Sequence, residues 1–326
     1  MSLLVIGTVA YDSVQTPSGN VKESLGGSAT YFSFSSNHFK TTKLIAAIGE
    51  DFKKEDKDLF EKYGIGIKGL ETYPGKTFRW SGYYHSDNLN KRDTLTTDLN
   101  VLADFNPKIK NSKSIKNLFL ANIDPELQIK VLEQINPRPK LIGIDSMDFW
   151  INSKEAYLEK LFSMVDILFL DENEAKMMSK QSNIFSSAET LLKKGTKVVI
   201  IKRGEFGSIV FYNNSIFYCP AYPIKNPIDP TGAGDSFAGG FIGYLEKTKN
   251  HSFENMKEAV IYGSVMASFC VQEFGTKGIE KIKYHKLTKI EVALIFSAFS
   301  FESPNGKTLL SINTFIQIIK INIPPT

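Results

Sequence analysis

The residues with the clearest capacity for chemistry are Asp229-Pro-Thr-Gly-Ala-Gly-Asp-Ser-Phe-Ala-Gly-Gly-Phe241, a glycine-rich turn running into an apolar segment, with the carboxylate of Asp235 at the junction. Gly232 and Gly234 can take positive φ and carry no Cβ, so successive backbone N–H groups can converge on an anion. Phe237, Phe241, Tyr244 and Leu245 recur at helical spacing, which makes the turn a helix N-terminus whose unpaired amides and dipole favour negative charge. That is an anion hole. An acid placed there repels the anion as a ligand and is better suited to taking a proton from a group that attacks it.

Other readings of the stretch fail on particular residues. A dinucleotide fingerprint needs Gly or Ala where Phe237 stands, and it belongs after the first strand instead of late in the chain. No Gly-Lys-Ser or Gly-Lys-Thr follows these glycines, which excludes a P-loop. Gly69-Leu-Glu-Thr-Tyr-Pro-Gly-Lys-Thr77 fails as a P-loop too, because five residues instead of four separate its glycines and Tyr73 and Pro74 obstruct the backbone wrap. A plain strand-to-helix turn with a capping Asp would suit an isolated Gly-x-Gly. Here Asp229, Thr231, Gly232, Gly234, Asp235 and the Gly239-Gly240 pair coincide, which that account leaves unexplained.

Asp-Pro-Thr-Gly-Ala-Gly-Asp-Ser-Phe resembles the C-terminal signature of the PfkB, or ribokinase-like, carbohydrate and nucleoside kinases, and weaker matches extend over about residues 3–283. The resemblance implies a three-layer α/β/α domain with a mostly parallel sheet and a small β-sheet lid. It implies that Asp235 is the catalytic base and that the amides of Gly232, Ala233 and Gly234 form the hole for the transferring phosphate. Asp12, Gly26 and Gly27 are expected at the acceptor. Tyr31 stands where the family has Asn, and a phenol can hydrogen-bond a hydroxyl or stack on a ring without reproducing the paired donor and acceptor of an amide. Asp171-Glu-Asn-Glu-Ala175 is similar to the box whose acid helps place Mg²⁺ through water; Glu174 fits it, while Asp171 replaces the Asn and either draws a cation or caps the next helix. Lys202-Arg-Gly-Glu-Phe-Gly207 resembles the turn beside ATP, with Lys202 where Thr is usual, so Lys202, Gly204, Gly207 and Thr231 are expected at the nucleotide. Gly263 and Ala267 are expected to line the adenine slot, unless these small residues only let helices pack closely. A monovalent cation such as K⁺ near Asp229 follows from the resemblance alone.

The elements that must position these groups are legible in outline. Residues 3–7 form a continuous apolar strand, with Asp12 beyond its C-terminal edge, where ligands of parallel sheets bind. From residue 115, strand-like runs alternate with helical segments, which argues for a parallel sheet covered on both faces. Residues 13–24 and 70–101 read as a small separate sheet, on which Arg79 and Trp80 are expected to contact the acceptor. The kinase domain spans residues 1–285, and residues 286–326, with apolar runs at 292–301 and 309–323, carry no chemistry.

Composition restricts the function further. A net charge of +4 with lysines scattered among acids gives no footprint for nucleic acid, and no apolar run reaches membrane-spanning length. Cys219 and Cys270 are too few for a disulfide framework, and the four histidines show no ligand spacing. A cytoplasmic enzyme using ATP and Mg²⁺ on a small sugar or nucleoside is the expected reading, with a homodimer through exposed lid edges as its assembly. The competing class is a nucleotide- or sugar-binding regulator that kept the fold without turnover.

Overall fold

The first strand shows how the molecule is layered. In β1 (Leu3–Ile6) every side chain is buried, with Leu3 and Val5 in one hydrophobic core and Leu4 and Ile6 in another. Such a strand needs helices on both sides. The structure, a computed structural model, describes residues 3–282 and supplies both layers.

After β1 come β2 (Ala10–Thr16), β3 (Gly19–Gly26), α1 (Ser28–Asn37), β4 (Thr42–Gly49), α2 (Lys54–Lys62), β5 (Gly66–Tyr73), β6 (Phe78–Tyr84) and β7 (Arg92–Asp98). The middle of the chain alternates β8 (Asn117–Leu120), α3 (Pro125–Glu133), β9 (Leu141–Asp145), α4 (Asp148–Ser153), α5 (Glu155–Phe162), β10 (Ile167–Asp171), α6 (Glu172–Ser179) and α7 (Ile184–Lys193). It closes with β11 (Val198–Lys202), β12 (Ser208–Tyr212), β13 (Ser215–Cys219), α8 (Ala233–Thr248), α9 (Phe253–Cys270) and α10 (Lys277–Glu280).

The main sheet has the order β13-β12-β11-β10-β9-β8-β1-β4-β5. Pairings from β11 to β5 are parallel, and β12 runs antiparallel to both neighbours. The expected βα alternation therefore ends at β11, which turns back through residues 203–207 as a hairpin. Helices α1, α2, α8 and α9 bury their apolar faces on one side of the sheet; α3 to α7 cover the other.

The second sheet, in the order β3-β2-β6-β7, is the lid. It is built from β2 and β3, and from β6 and β7, so its second half starts at residue 78 and not at 70. Residues 66–73 instead pair in parallel with β4 at the edge of the main sheet, and the turn at Pro74-Gly75, where Gly75 has φ 117°, redirects the chain into the lid. The segment 286–326 and its apolar runs lie outside the described residues. Among the described residues no helix is long and apolar enough to cross a membrane.

Candidate active site

The glycine-rich turn becomes the start of α8, with Gly232 at the N-cap in the left-handed region, φ 75°. Asp235 falls in the first turn of that helix. The backbone amides of Gly232, Gly234 and Asp235 have no acceptor among the described residues, as a helix N-terminus dictates. Ala233 corrects the expectation: its N–H donates to Pro230 O at 3.1 Å and is not free for an anion. The half-buried Asp235 carboxylate likewise has no hydrogen-bond partner, and burial, reinforced by the charge of Asp145, pushes it up to about 8.

Beneath the turn lies Tyr31, only 2 % exposed. A Cβ placed on Gly232 would stand 2.2 Å from its ring Cγ, so the ring supports the turn from below. Its covered face corrects the expectation that Tyr31 stacks on an acceptor ring. Gly232→Ala combines that clash with a φ that disfavours a side chain, and it is expected to lower stability by about 1–3 kcal/mol, measured as a drop in thermal midpoint. Thr231 is also engaged: its hydroxyl hydrogen-bonds Tyr84 Oη of the lid at 3.2 Å, which makes it a latch between lid and turn. Asp229 is buried, and its oxygens accept from Thr231 N at 2.9 Å and Gly275 N at 3.3 Å.

Opposite Asp235, the ends of β9, β10 and β11 bring charges together. Lys202 Nζ donates to Asp145 Oδ2 at 2.7 Å and lies 2.9 Å from where a Cβ on Gly234 would be. Any side chain at 234 would displace this ammonium. Asp145 was not legible as a site residue; nothing in its local sequence marks it, and only the parallel register of β9, β10 and β11 carries it to Lys202. Asp171 and Glu174 form a capping box, with Asp171 Oδ1 accepting from Glu174 N at 2.8 Å and Glu174 Oε2 from Asp171 N at 2.7 Å. The capping alternative thus holds for Asp171. Glu174 keeps Oε1 without a donor among the described residues, and burial and the Asp171 charge push its carboxyl up to about 8.

On the acceptor side, Asp12 is 4 % exposed and its Oδ2 accepts from Gly27 N at 3.2 Å. Burial pushes it up to about 7, with Asp229 adding to the shift and Arg92 opposing it. A Cβ on Gly26 would overlap that oxygen at 1.9 Å, so glycine is required by the approach of the carboxylate. Asp12 pairs with Trp80 across β2 and β6, which puts both side chains on one face of the lid. Arg79, the next residue, must point to the other face. It binds Asp51 Oδ2 at 2.7 Å and Glu23 Oε1 at 3.0 Å, bracing the lid, and is no acceptor contact. Arg92, which sequence reasoning missed, stands opposite Tyr84 in β7, 5.8 Å from the Trp80 ring, and against desolvation Tyr84 first, then the charges of Glu174 and Asp148, raise its pKa.

At the expected nucleotide side, the 203–207 turn closes the β11–β12 hairpin through Arg203 N to Gly207 O, 2.7 Å. Gly207, φ 87°, backs onto β13, where a Cβ would meet Cys219 O at 2.1 Å, so it serves the hairpin. Gly263 is a packing residue as well: a Cβ there would stand 2.8 Å from Phe237 O of α8, leaving no space for adenine. Ala267, one turn further along α9, stays half-buried and can still border a ligand.

Comparison with known proteins agrees with this fold. The family described as pfkB family carbohydrate kinase matches residues 2–282. A cytidine kinase of Thermococcus kodakarensis is 32 % identical over 275 residues, covering 80 % of this chain and 96 % of the relative. A nucleoside kinase of Methanothermobacter thermautotrophicus is 25 % identical over 291 residues, covering 84 % and 91 %. Among solved structures, the Burkholderia thailandensis nucleoside kinase in complex with inosine superposes with a TM-score of 0.75 at 17 % identity, covering 93 % of this chain and all of that one (100 %). A putative ribokinase II from E. coli in complex with ATP and Mg²⁺ gives 0.72 at 19 %, covering 91 % and 99 %. These last two likenesses establish the ribokinase fold. With a family match along all of the described residues, the chain belongs to the pfkB family of carbohydrate kinases and is a sugar or nucleoside kinase, a phosphotransferase with an alcohol group as acceptor.

Proposed function

We propose that the chain is an ATP-dependent nucleoside kinase in which Asp235 is the general base. The observation that carries this reading is a carboxylate without a hydrogen-bond partner among the described residues, set in the first turn of α8 beside amides that likewise have no acceptor there. Asp235 takes the proton of the acceptor hydroxyl as its oxygen attacks the γ-phosphorus, the bond to the bridging oxygen breaks, and ADP leaves. The amides of Gly232, Gly234 and Asp235, with the helix dipole, hold the charge on the transferring group. Lys202, paired with Asp145 at 2.7 Å, adds a cation on the same floor.

Magnesium fits the donor chemistry of this end of the sheet, since Glu174 Oε1 is a hard oxygen without a protein donor; bound with ATP, the ion neutralises phosphate charge. Glu174 would hold the ion, directly or through water, as the family resemblance implies. A monovalent cation beside Asp229 belongs to the reading and is tested by the potassium dependence of turnover. So does a dimer through the lid, because β7 is exposed along its whole length and unpaired edges tend to be covered; its test is the mass in solution.

A nucleoside acceptor is supported by the relative named cytidine kinase and by Trp80 and Asp12 on one lid face, an indole for a base ring beside a carboxylate for ribose hydroxyls. ADP release in the presence of cytidine, other nucleosides, ribose and inositol tests it. Stimulation by nucleosides is expected; stimulation by a free sugar alone would overturn it. The base must be ionised to work, and its pKa is raised to about 8 by burial, so kcat/KM for the acceptor is expected to rise about tenfold per pH unit up to that value and then level off. A flat profile between pH 6 and 8 contradicts the assignment.

A further inference from the structure

We infer that the tip of the lid supplies a ligand to the donor nucleotide: the carboxamide of Asn90, held against the turn at Gly204, binds the phosphate chain of ATP from above. The inference rests on the kinase reading. The tip, residues 85–91, is a braced turn. Asn88 Oδ1 accepts from Asn90 N at 2.9 Å, Asn88 O from Lys91 N at 2.9 Å, and Lys91 O from His85 N at 3.3 Å. His85 Nε2 meets Asp93 Oδ2 at 2.7 Å across the base of the tip, and Tyr84 ties the same strand to Thr231. The placement of Asn90 is therefore set by the loop and not by its own side chain.

That side chain reaches the nucleotide turn. A Cβ placed on Gly204, φ 55°, would stand 1.9 Å from Asn90 Oδ1 and 2.8 Å from Nδ2, so the carboxamide lies directly over the glycine α-carbon. Neither polar atom has a hydrogen-bond partner among the described residues. A residue whose task was to fasten the lid would bond the carbonyls of the turn; here Oδ1 rests on the glycine, and Nδ2, farther from it, keeps both N–H donors unused among the described residues. Lys202 lies two residues before Gly204, with its ammonium at the anion hole, so phosphates extending from that hole along the turn would come beside Asn90, whose carboxamide already rests on Gly204. Phosphate oxygens match these donors, and the lid that covers the acceptor then also closes over the donor.

The test is calorimetric titration of Mg·ADP and of Mg·AMP-PNP into the full chain, Asn90→Ala and Asn90→Asp, with no turnover required. Asn90 is exposed, so both variants are expected to melt as the parent does. Loss of one charge-assisted hydrogen bond predicts about a tenfold rise in Kd for Asn90→Ala. Asn90→Asp, which sets a negative charge beside the phosphates, should bind more weakly still. Unchanged affinity in Asn90→Ala, or equal losses in the two variants, would overturn the assignment. An unaltered chain that binds neither nucleotide overturns the kinase reading, and this inference with it.

Discussion

Replacing Asp235 by Asn is expected to reduce turnover by about two to four orders of magnitude without unfolding the protein. The carboxamide fills the same space but cannot take a proton, while the amides of Gly232 and Gly234, the α8 dipole and Lys202 stay in place. What is lost is acid–base chemistry alone. The folded state should not suffer, because burial and the nearby Asp145 already disfavour a charge at this position. Nucleotide affinity should hold or improve, since a negative charge beside the phosphates is gone. Steady-state ADP release with the best acceptor, together with Mg·ADP titration, separates the two effects. Near-native turnover in the variant would remove Asp235 from the mechanism.

Lys202→Met is expected to injure both stability and catalysis. Its ammonium is the cation shared by Asp145, Glu174 and Asp235, and its own pKa is raised by those charges against the opposing pull of burial. Removing one partner of a buried pair leaves the other uncompensated, and the usual cost is about 3–5 kcal/mol. The dependence on pH has a definite sign. Carboxyls whose folded pKa lies above the unfolded one, here Asp12 at about 7 and Glu174 and Asp235 at about 8, hold extra protons in the native state. Their contribution to stability is complete below about pH 4 and is lost as pH rises through 7 to 8. Without Lys202 the decline should be steeper. Thermal midpoints of parent and variant between pH 5 and 8.5 check this, and parallel curves would show that Lys202 does not neutralise the cluster.

The glycine-rich turn was legible because its pattern is local: a glycine at positive φ, a helix start and one acid lie within a few adjacent residues. The layers were legible for a similar reason, as in β1, where an unbroken apolar run has to be buried on both faces. Where two explanations shared one local pattern, sequence could not choose between them. Asp171 could cap or attract a cation, and only the reciprocal bonds with Glu174 decide for capping. Gly263 could line a slot or admit a helix, and the approach of Phe237 decides for the helix. Arg79 and Trp80 were both assigned to the acceptor although neighbours in a strand face opposite ways; applying that alternation would have removed one of them. Asp145 and Arg92 were invisible for a different reason. Their significance depends on strand order and on the fold of the lid over the sheet, neither of which is written near them in the chain.

The packing of α8 sets which half of the proposed catalytic centre can travel. Gly239 and Gly243 bring this helix onto the main chain of α1, where added methyl groups would overlap Phe32 O at 2.5 Å and Ser36 Cα at 2.9 Å, and Gly240 does the same toward Tyr262 O of α9 at 2.8 Å. Backbone resting on backbone leaves no compressible side chains to absorb a slide. Asp235, the proposed proton acceptor, thus stands on an anvil. Whatever adjustment brings hydroxyl and phosphate into line has to come from the sheet above it, so substitutions that stiffen or loosen β2 and β6 should alter the cycle without disturbing the hole itself.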